Sequence, residues 1–520
     1  MPRQHLFAKL QDSPPFDIAI VGGGATGLGI ALEATLRGLR VVLLESHDFA
    51  KGTSSRATKL VHGGVRYLAQ GNVSLVREAL HERAVLLYNA PHLAQPIPFV
   101  MPSYRWWETV FYGVGLTLYD LLAGKFGLGR TEFLNRAEVL QRLPQAQAQG
   151  LRGGVQYWDG QFDDARLAVA LARTAASKGA LLINYCPVTA LTHQNQHVVG
   201  VQCTDQETGR PFDVRAKCVI NATGVWVDAL REMDGAANAL AVKPMVAPSQ
   251  GVHLVVDRAF LNSDHALLIP KTSDGRVLFA VPWLGKVILG TTDTPRHDLP
   301  REPQAFEAEV AFILQESARY LQRAPKREDV RSVWVGLRPL VKPQDADGNH
   351  TKDLSREHTV LISSSGLVTV TGGKWTTYRA IAQDVLVRCT QAHLIAPKFK
   401  ESHSDACRLV GATMGTQANF SLMQAAGMHS YGEEQALLMQ LPGADHWLSA
   451  SLSEAMVRFA AQQEFARTVE DVLARRSRLL FLDARLAIEL APQVAAILES
   501  ETKQDAQLDD FLYMAQHYLL

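Results

Sequence analysis

A chain of 520 residues is longer than one hydrophobic core usually sustains, so two or three domains and room for a large buried site are expected. Lys plus Arg and Asp plus Glu each total 52, which excludes a global field that would gather nucleic acid or an acidic partner; any anion site must be a local cluster. The five cysteines, at 186, 203, 218, 389 and 407, show no CxxC spacing and no framework density, which suits a reducing compartment and gives no reason to expect a metal.

The opening MPRQHLFAKLQDSPPF lacks the apolar core of a signal peptide, so the chain is expected in, or facing, the cytosol. Phe16 to Glu45 then reads FDIAIVGGGATGLGIALEATLRGLRVVLLE: an apolar strand, Gly22, Gly24 and Gly27 at GxGxxG spacing, a small-residue helix, and a second apolar strand ending on an acid. One glycine turns the chain, one lets backbone approach a pyrophosphate, and one lets the helix pack close to the sheet. Bare amides and the positive helix end meet the phosphates. Glu45, 18 residues past Gly27, stands where a carboxylate accepts hydrogen bonds from an adenosine ribose.

The next stretch, SHDFAKGTSSRATKLVHGGVRYLAQGN, is too polar for a core and suits a loop wrapped around a polar ligand. Residues after Asn72 form an amphipathic helix closed by Pro91. VFYGVGLTLYDLLAG at 110 to 124 is too short to span a bilayer and carries Asp120. With Arg105, Trp106 and Trp107 beside it, this run fits either a membrane interface or ordinary burial against another helix. DDARLAVALARTAASKG at 163 to 179 is a helix started by Asp and ended by Gly179. Short strands follow from 183 to 219, with a turn at Glu207–Gly209, ending in CVINATGVWVD. GVHLVVD, RVLFAVPW and KVILGTTDT read as a second, mostly antiparallel sheet that roofs a cofactor. VTVTGGKWTTYRAIAQDVL is again strand, glycine turn and helix. Beyond about 392 the pattern turns helical, clearest in SEAMVRFAAQQEFARTVEDVLARRSRLLFLD from 453 to 483.

These pieces, IVGGGATG, TSSRATKLVHGGVRYL, QYWDGQFDDARL, NATGVWVD, GTTDT, GLRPL, GGKWTTYR and EDVLARRSRL, resemble the FAD-dependent glycerol-3-phosphate dehydrogenases. The resemblance implies an α/β FAD-binding (Rossmann-like, glycine oxidase/D-amino-acid oxidase-like) domain with an antiparallel-sheet substrate domain and a C-terminal helical domain. Residues 1–391 would hold the oxidoreductase region, its FAD segments at about 16–90, 150–230 and 355–391 and its roof sheet at about 92–150 and 235–354; residues 392–520 would be the helical domain. It implies FAD as cofactor, sn-glycerol 3-phosphate as donor and a membrane quinone as acceptor. It further implies a peripheral place on the cytoplasmic face of the inner membrane, with a homodimer as one candidate assembly.

By that likeness, adenosine and pyrophosphate contacts fall on Gly22, Gly24, Gly27 and Glu45, and flavin contacts on Thr53, Ser54, Ser55, Lys59 and His62. Thr223 and Gly224 lie on the nucleotide side, and Gly372, Gly373, Lys374, Trp375 and Thr376 near the ring. Ala25, Thr26, Ser46, Leu60, Gly63 and Val188 complete the cofactor set. Substrate and active-site positions are Arg66, Tyr67, Arg338, Arg356, Lys374 and Thr376.

Oxidising a secondary alcohol needs a proton acceptor near neutral pKa, for which histidine leads. His62 in the flavin loop and His253 in the roof are the candidates, and Tyr67 would orient the alcohol. A dianionic phosphate needs several fixed cations. Arg338 fits that need or a domain-interface ion pair, and Arg356 fits it or a surface pair with Glu357. Lys374 would stabilise reduced flavin or hold phosphate. The rival readings are an oxygen-using oxidase of amino acids, amines or glycerol 3-phosphate, and a non-catalytic flavin-binding protein.

Overall fold

Apart from Asp17 at its start, FDIAIV is apolar on both faces, as a central parallel strand requires, and Phe16–Val21 lies in the middle of a parallel sheet in the computed structural model, which describes residues 3–64, 72–238, 241–342, 358–397, 400–413 and 420–520. The strand order is His358–Ile362, Val368–Gly372, Pro211–Asn221, Phe16–Val21, Val41–Leu44, Leu181–Ile183, parallel throughout except for the first pair. Register sets Val21 beside both Leu44 and Asn221. The carboxyl ends therefore deliver Gly22, Glu45, Ala222 and Gly373 to one edge, where open α/β sheets bind ligands.

Helices Ala25–Leu36, Asp164–Ser177 and Tyr378–Gln391 bury one face of this sheet around Ile18 and Ile20. A meander of Val188–Gln194, His197–Thr204 and the first half of Pro211–Asn221, with helix Arg3–Asp12, covers the other. Asn72 caps helix Val73–Asn89 through the Leu75 amide, and Asp163 caps Asp164–Ser177, which Gly179 closes at φ +111°.

Among the described residues the roof is a ten-stranded, mainly antiparallel sheet. Its longest pair, Val246–Asp257 with Val330–Val341, lies at one edge and alternates up to a bulge at Val255–Val256. Val252, Leu254 and Val335 face helix Glu307–Tyr320, while Ser249, Gly251, His253, Trp334, Gly336 and Arg338 share the opposite face. Strands Gly153–Phe162 and Leu60–Val61 also belong to this sheet, although the sequence grouped them with the nucleotide half. Gly153–Phe162 pairs with Ala94–Ser103 over ten residues, a partnership set by long-range register that local pattern does not show.

Residues 453–483 are not one helix. Glu454–Gln463 stops at Glu464, whose buried carboxylate holds Arg166 at 2.9 Å, and Phe465 turns the chain at φ +61°. The Asp471 carboxylate then accepts from the amides of Arg467 and Thr468, starting a π-helical turn, Asp471–Arg476; Arg478 at φ +64° precedes Leu479–Leu482. Side chains that bind nearby amides compete with continuous helix, and here they win. These helices, with Ala484–Thr502 and Leu508–Ala515, share a core with Val255, Trp283, Ile288 and Trp334 of the roof.

Candidate active site

Gly22 sits at φ +109°, and a Cβ there would lie 2.6 Å from the Ala222 carbonyl oxygen; on Gly27 it would lie 1.9 Å from the Gly22 carbonyl oxygen. Glycine is thus required where strand, turn and helix meet. The Gly23 amide donates to Glu45 at 2.6 Å and the Ala25 amide to Ser54 Oγ at 2.9 Å. Ser54 ties the polar loop to the first glycine turn. Its carbonyl accepts from Trp375 Nε1 at 2.8 Å, and Thr53 Oγ1 donates to the Leu337 carbonyl at 2.6 Å, so the loop is pinned between the second glycine turn and the roof.

A cavity of about 1310 Å³ runs through this junction. Gly22, Gly24, Ala25, Thr26, Glu45 and Ser46 line one end, joined by Thr53, Ser54, Val188, Thr223 and Gly224. Leu60, His62, Gly372, Gly373, Lys374, Trp375 and Thr376 line the middle, under His253 and Arg338 of the roof. Gly251 and Gly336 leave the space between those two roof side chains: a Cβ on Gly251 would come within 2.3 Å of Arg338 Nη2, and one on Gly336 within 2.6 Å of the Arg56 carbonyl oxygen.

Arg338 Nη1 lies 3.2 Å from Asp293 Oδ1 and Nη2 donates to the Thr292 carbonyl at 2.9 Å, so the fork is held in the cavity wall. His253 is buried, stacks on Trp334 at 4.1 Å, and pairs through Nε2 with Thr58 Oγ1 at 3.0 Å. Burial, then the charges of Lys59 and Arg338, hold its pKa well below the ordinary histidine value, so the imidazole is neutral at neutral pH. The far end of the cavity is apolar. Val110, Phe111, Val114 and Leu118 of helix Glu108–Ala123 line it with Phe99, Met101, Leu268 and Phe279.

The profile of FAD dependent oxidoreductases matches residues 17–379, and that of the C-terminal domain of alpha-glycerophosphate oxidase matches 402–508. Mitochondrial glycerol-3-phosphate dehydrogenases are similar over nearly the whole chain: 40% identity for Homo sapiens, covering 99% of this chain and 76% of the relative, and 37% for Arabidopsis thaliana, covering 95% and 84%. The glycerol-3-phosphate dehydrogenase from Bacillus halodurans complexed with FAD superposes with a TM-score of 0.77 at 27% identity, covering 99% of this chain and 97% of that one. The chain belongs to the FAD-dependent glycerol-3-phosphate dehydrogenase family. Glycine oxidase from Geobacillus kaustophilus, at 22% identity and TM-score 0.54, shares the fold over 78% of this chain and 100% of its own.

FAD is the cofactor of this family, and the first glycine turn fits it: a helix start, a facing carboxylate, and no Cβ to block a pyrophosphate. Four residues expected in the cofactor set are placed otherwise. Gly27 packs helix against strand. Ser55 is buried with its hydroxyl 3.4 Å from the Gly52 carbonyl. Gly63 turns its amide to Tyr119 at 2.9 Å. Lys59 lies behind the wall, bonded to Asp164 at 2.8 Å and the Ser55 carbonyl at 2.8 Å and facing Trp334 at 4.4 Å. Burial draws its pKa down to about 7. Lys59 ties the loop to helix Asp164–Ser177 because Asp164, with the charge of Asp163 beside it, compensates the buried ammonium.

Arg66, Tyr67 and Arg356 lie outside the described residues. Thr58, Trp226 and Arg301 are among the lining groups that sequence reasoning missed. Thr58 falls inside the loop signature yet carries no motif of its own. Trp226 lies in NATGVWVD, and Arg301, whose guanidinium covers the Trp226 ring at 3.9 Å near Glu45, has no sequence signal at all.

Proposed function

We propose that this chain oxidises sn-glycerol 3-phosphate to dihydroxyacetone phosphate and delivers the electrons to a membrane quinone. The observation that carries the reading is one continuous cavity joining a nucleotide cradle, a neutral buried histidine beside fixed cations, and an apolar helix. Bound in the cradle, FAD supplies the hydride acceptor at N5. His253 receives the proton of the C2 hydroxyl as the hydride leaves C2; its neutral ring has the lone pair for that task. His62 is the second candidate for contact with substrate. Arg338 and Lys374, joined by Arg66 and Arg356 of the signature segments, bind the phosphate dianion, with Thr376 and Tyr67 orienting the substrate. Arg338 is pre-aligned by Asp293 and the Thr292 carbonyl, so less order is lost on binding.

The outer face of helix Glu108–Ala123 exposes Phe111 at 65% and Leu121 at 73%, next to Trp106 at 78%. No described helix is long and apolar enough to cross a membrane. We place this face in the interface of the inner membrane, on its cytoplasmic side, where quinone reaches the apolar end of the cavity.

Anaerobic stopped-flow mixing of the holoenzyme with glycerol 3-phosphate tests the reading. The expected result is bleaching of the visible flavin absorbance, recovered rapidly by a short-chain quinone and slowly by oxygen. Bleaching by a D-amino acid instead, or none with any polyol phosphate, overturns it. Fast recovery with stoichiometric peroxide reassigns the acceptor to oxygen.

A further inference from the structure

The C-terminal helices contribute nothing to the cavity wall among the described residues, which runs from Val21 to Thr376. Yet the motif EDVLARRSRL, ending at Leu479, is aimed at the loop that forms much of that wall. Asp48, fully buried, receives Arg475 Nε and Arg476 Nη1 on one carboxylate oxygen and Arg476 Nη2 on the other at 2.9 Å. Burial raises the Asp48 pKa, but the two guanidinium charges outweigh that and hold it below the ordinary carboxylate range. Arg475 also binds Glu470 at 2.6 Å and Asp471 at 2.7 Å, and the Asp471 carboxylate accepts from Tyr185 at 2.7 Å. Lys51, which lines the cavity, reaches Glu470 at 2.6 Å. Arg478 Nη2 donates to the Ser55 carbonyl at 2.9 Å and lies 3.1 Å from Asp164, the carboxylate that also holds Lys59.

Asp48, Lys51 and Ser55 of the loop 48–59 are therefore fastened by one short segment, Glu470–Arg478, and Lys59 at the loop's end shares the Asp164 carboxylate with Arg478. The π-helical turn explains how adjacent arginines manage it. Widening the turn lets Arg475 and Arg476 converge on the same carboxylate, while Arg478, in a left-handed conformation, passes to the far end of the loop. Residues 50–54 and 56–58 of this loop line the cavity. Uncompensated charge is costly at such burial, so the loop cannot leave its place while the clasp is closed.

We propose that Arg475, Arg476 and Arg478 are positioning residues for FAD. The C-terminal helices retain the cofactor without touching it, by closing the loop Asp48–Lys59 over it. Coupling of this kind is reciprocal, so FAD must in turn protect the clasp from opening.

The test uses the full-length holoenzyme. Release of FAD after dilution is followed by flavin fluorescence in Arg476→Lys, Asp48→Asn and the control Arg467→Gln, whose side chain binds Glu207 across the same domain contact but not the loop. Arg476→Lys and Asp48→Asn are expected to weaken FAD binding by about 5- to 150-fold, the usual span of coupling between sites, with KM for glycerol 3-phosphate unchanged in the FAD-saturated enzyme. Arg467→Gln is expected to leave FAD affinity unchanged. Unaltered FAD affinity in the first two overturns the proposal, as does an equal loss in Arg467→Gln, which would assign the effect to general domain docking. If the charge variants do not fold, hydrogen exchange of the wild-type chain decides. Amides of 470–478 are expected to exchange more slowly with FAD bound than after its removal, and identical exchange overturns the proposal.

Discussion

A methyl group on Gly251 is a small change with a specific target. It would press on Arg338 Nη2 and on Thr291 Oγ1, 2.6 Å away, and displace the guanidinium from Asp293. Gly251→Ala is expected to raise KM for glycerol 3-phosphate while FAD is retained. Arg338→Ala removes a charge-assisted contact outright, typically worth about 1.5–3 kcal/mol, and is expected to raise KM by one to two orders of magnitude. Steady-state kinetics at saturating FAD check both, and an unchanged KM in Arg338→Ala counts against the phosphate role. His92, buried among Arg166, Arg173 and the Gly411 turn, has its pKa lowered by burial, then by the arginine charges, to about 3. Between pH 6.5 and 3 the unfolded chain binds a proton there that the folded chain refuses, so stability falls as pH drops through that window. His92→Gln is expected to flatten the fall of the unfolding free energy below pH 6.5, by up to about 1.4 kcal/mol per pH unit, read from urea titrations at several pH values. Residues whose task is local were legible in the sequence: Gly22 and Glu45 declare themselves by spacing. The pairs Thr58–His253 and Arg301–Trp226 were not, because each joins segments far apart in the chain.

Helix Glu108–Ala123 inverts the usual amphipathic rule. Its inner face is narrow, with Gly113, Leu116, Tyr119 and Ala123, and Tyr119 carries a buried polar cluster with Asp159 and Arg83. Its outer face is apolar. Trp106 and Leu121 stand clear of the cavity, so Trp106→Ser with Leu121→Asp tests membrane attachment without altering the site. Each buried apolar side chain is worth roughly 1.5–3 kcal/mol, so binding to anionic vesicles is expected to drop about a hundredfold or more, read by sedimentation, with anaerobic flavin reduction preserved. Equal sedimentation of variant and wild type would remove this helix from the interface. The sequence left that run open between interface and burial because one amphipathic stripe serves either. The helical pattern at 453–483 was legible but its breaks were not: the apolar period continues across Glu464 and Arg478, where buried ion pairs and left-handed turns break the backbone.

At the scale of the whole molecule, one face of the roof sheet serves two neighbours. The cavity takes the end bearing Gly251, His253 and Arg338, and the C-terminal helices take the end bearing Val255, Trp283 and Trp334. Composition marked the helical region from about 392 but not this shared face, since the roof strands read the same whatever covers them. With a common core and the buried Asp48 and Asp164 ion pairs across the contact, the chain is expected to unfold in urea as one unit. Tryptophan fluorescence and far-UV circular dichroism should give coincident midpoints. Two separated midpoints would show that the helical region stands alone.

Trp334 stacks on His253 of the cavity and also meets Phe481 of the C-terminal helices at 5.4 Å. It is a party wall. Any change made to it for the sake of the site also disturbs the neighbouring house, because the same ring belongs to the core that the C-terminal helices share with Val255 and Trp283.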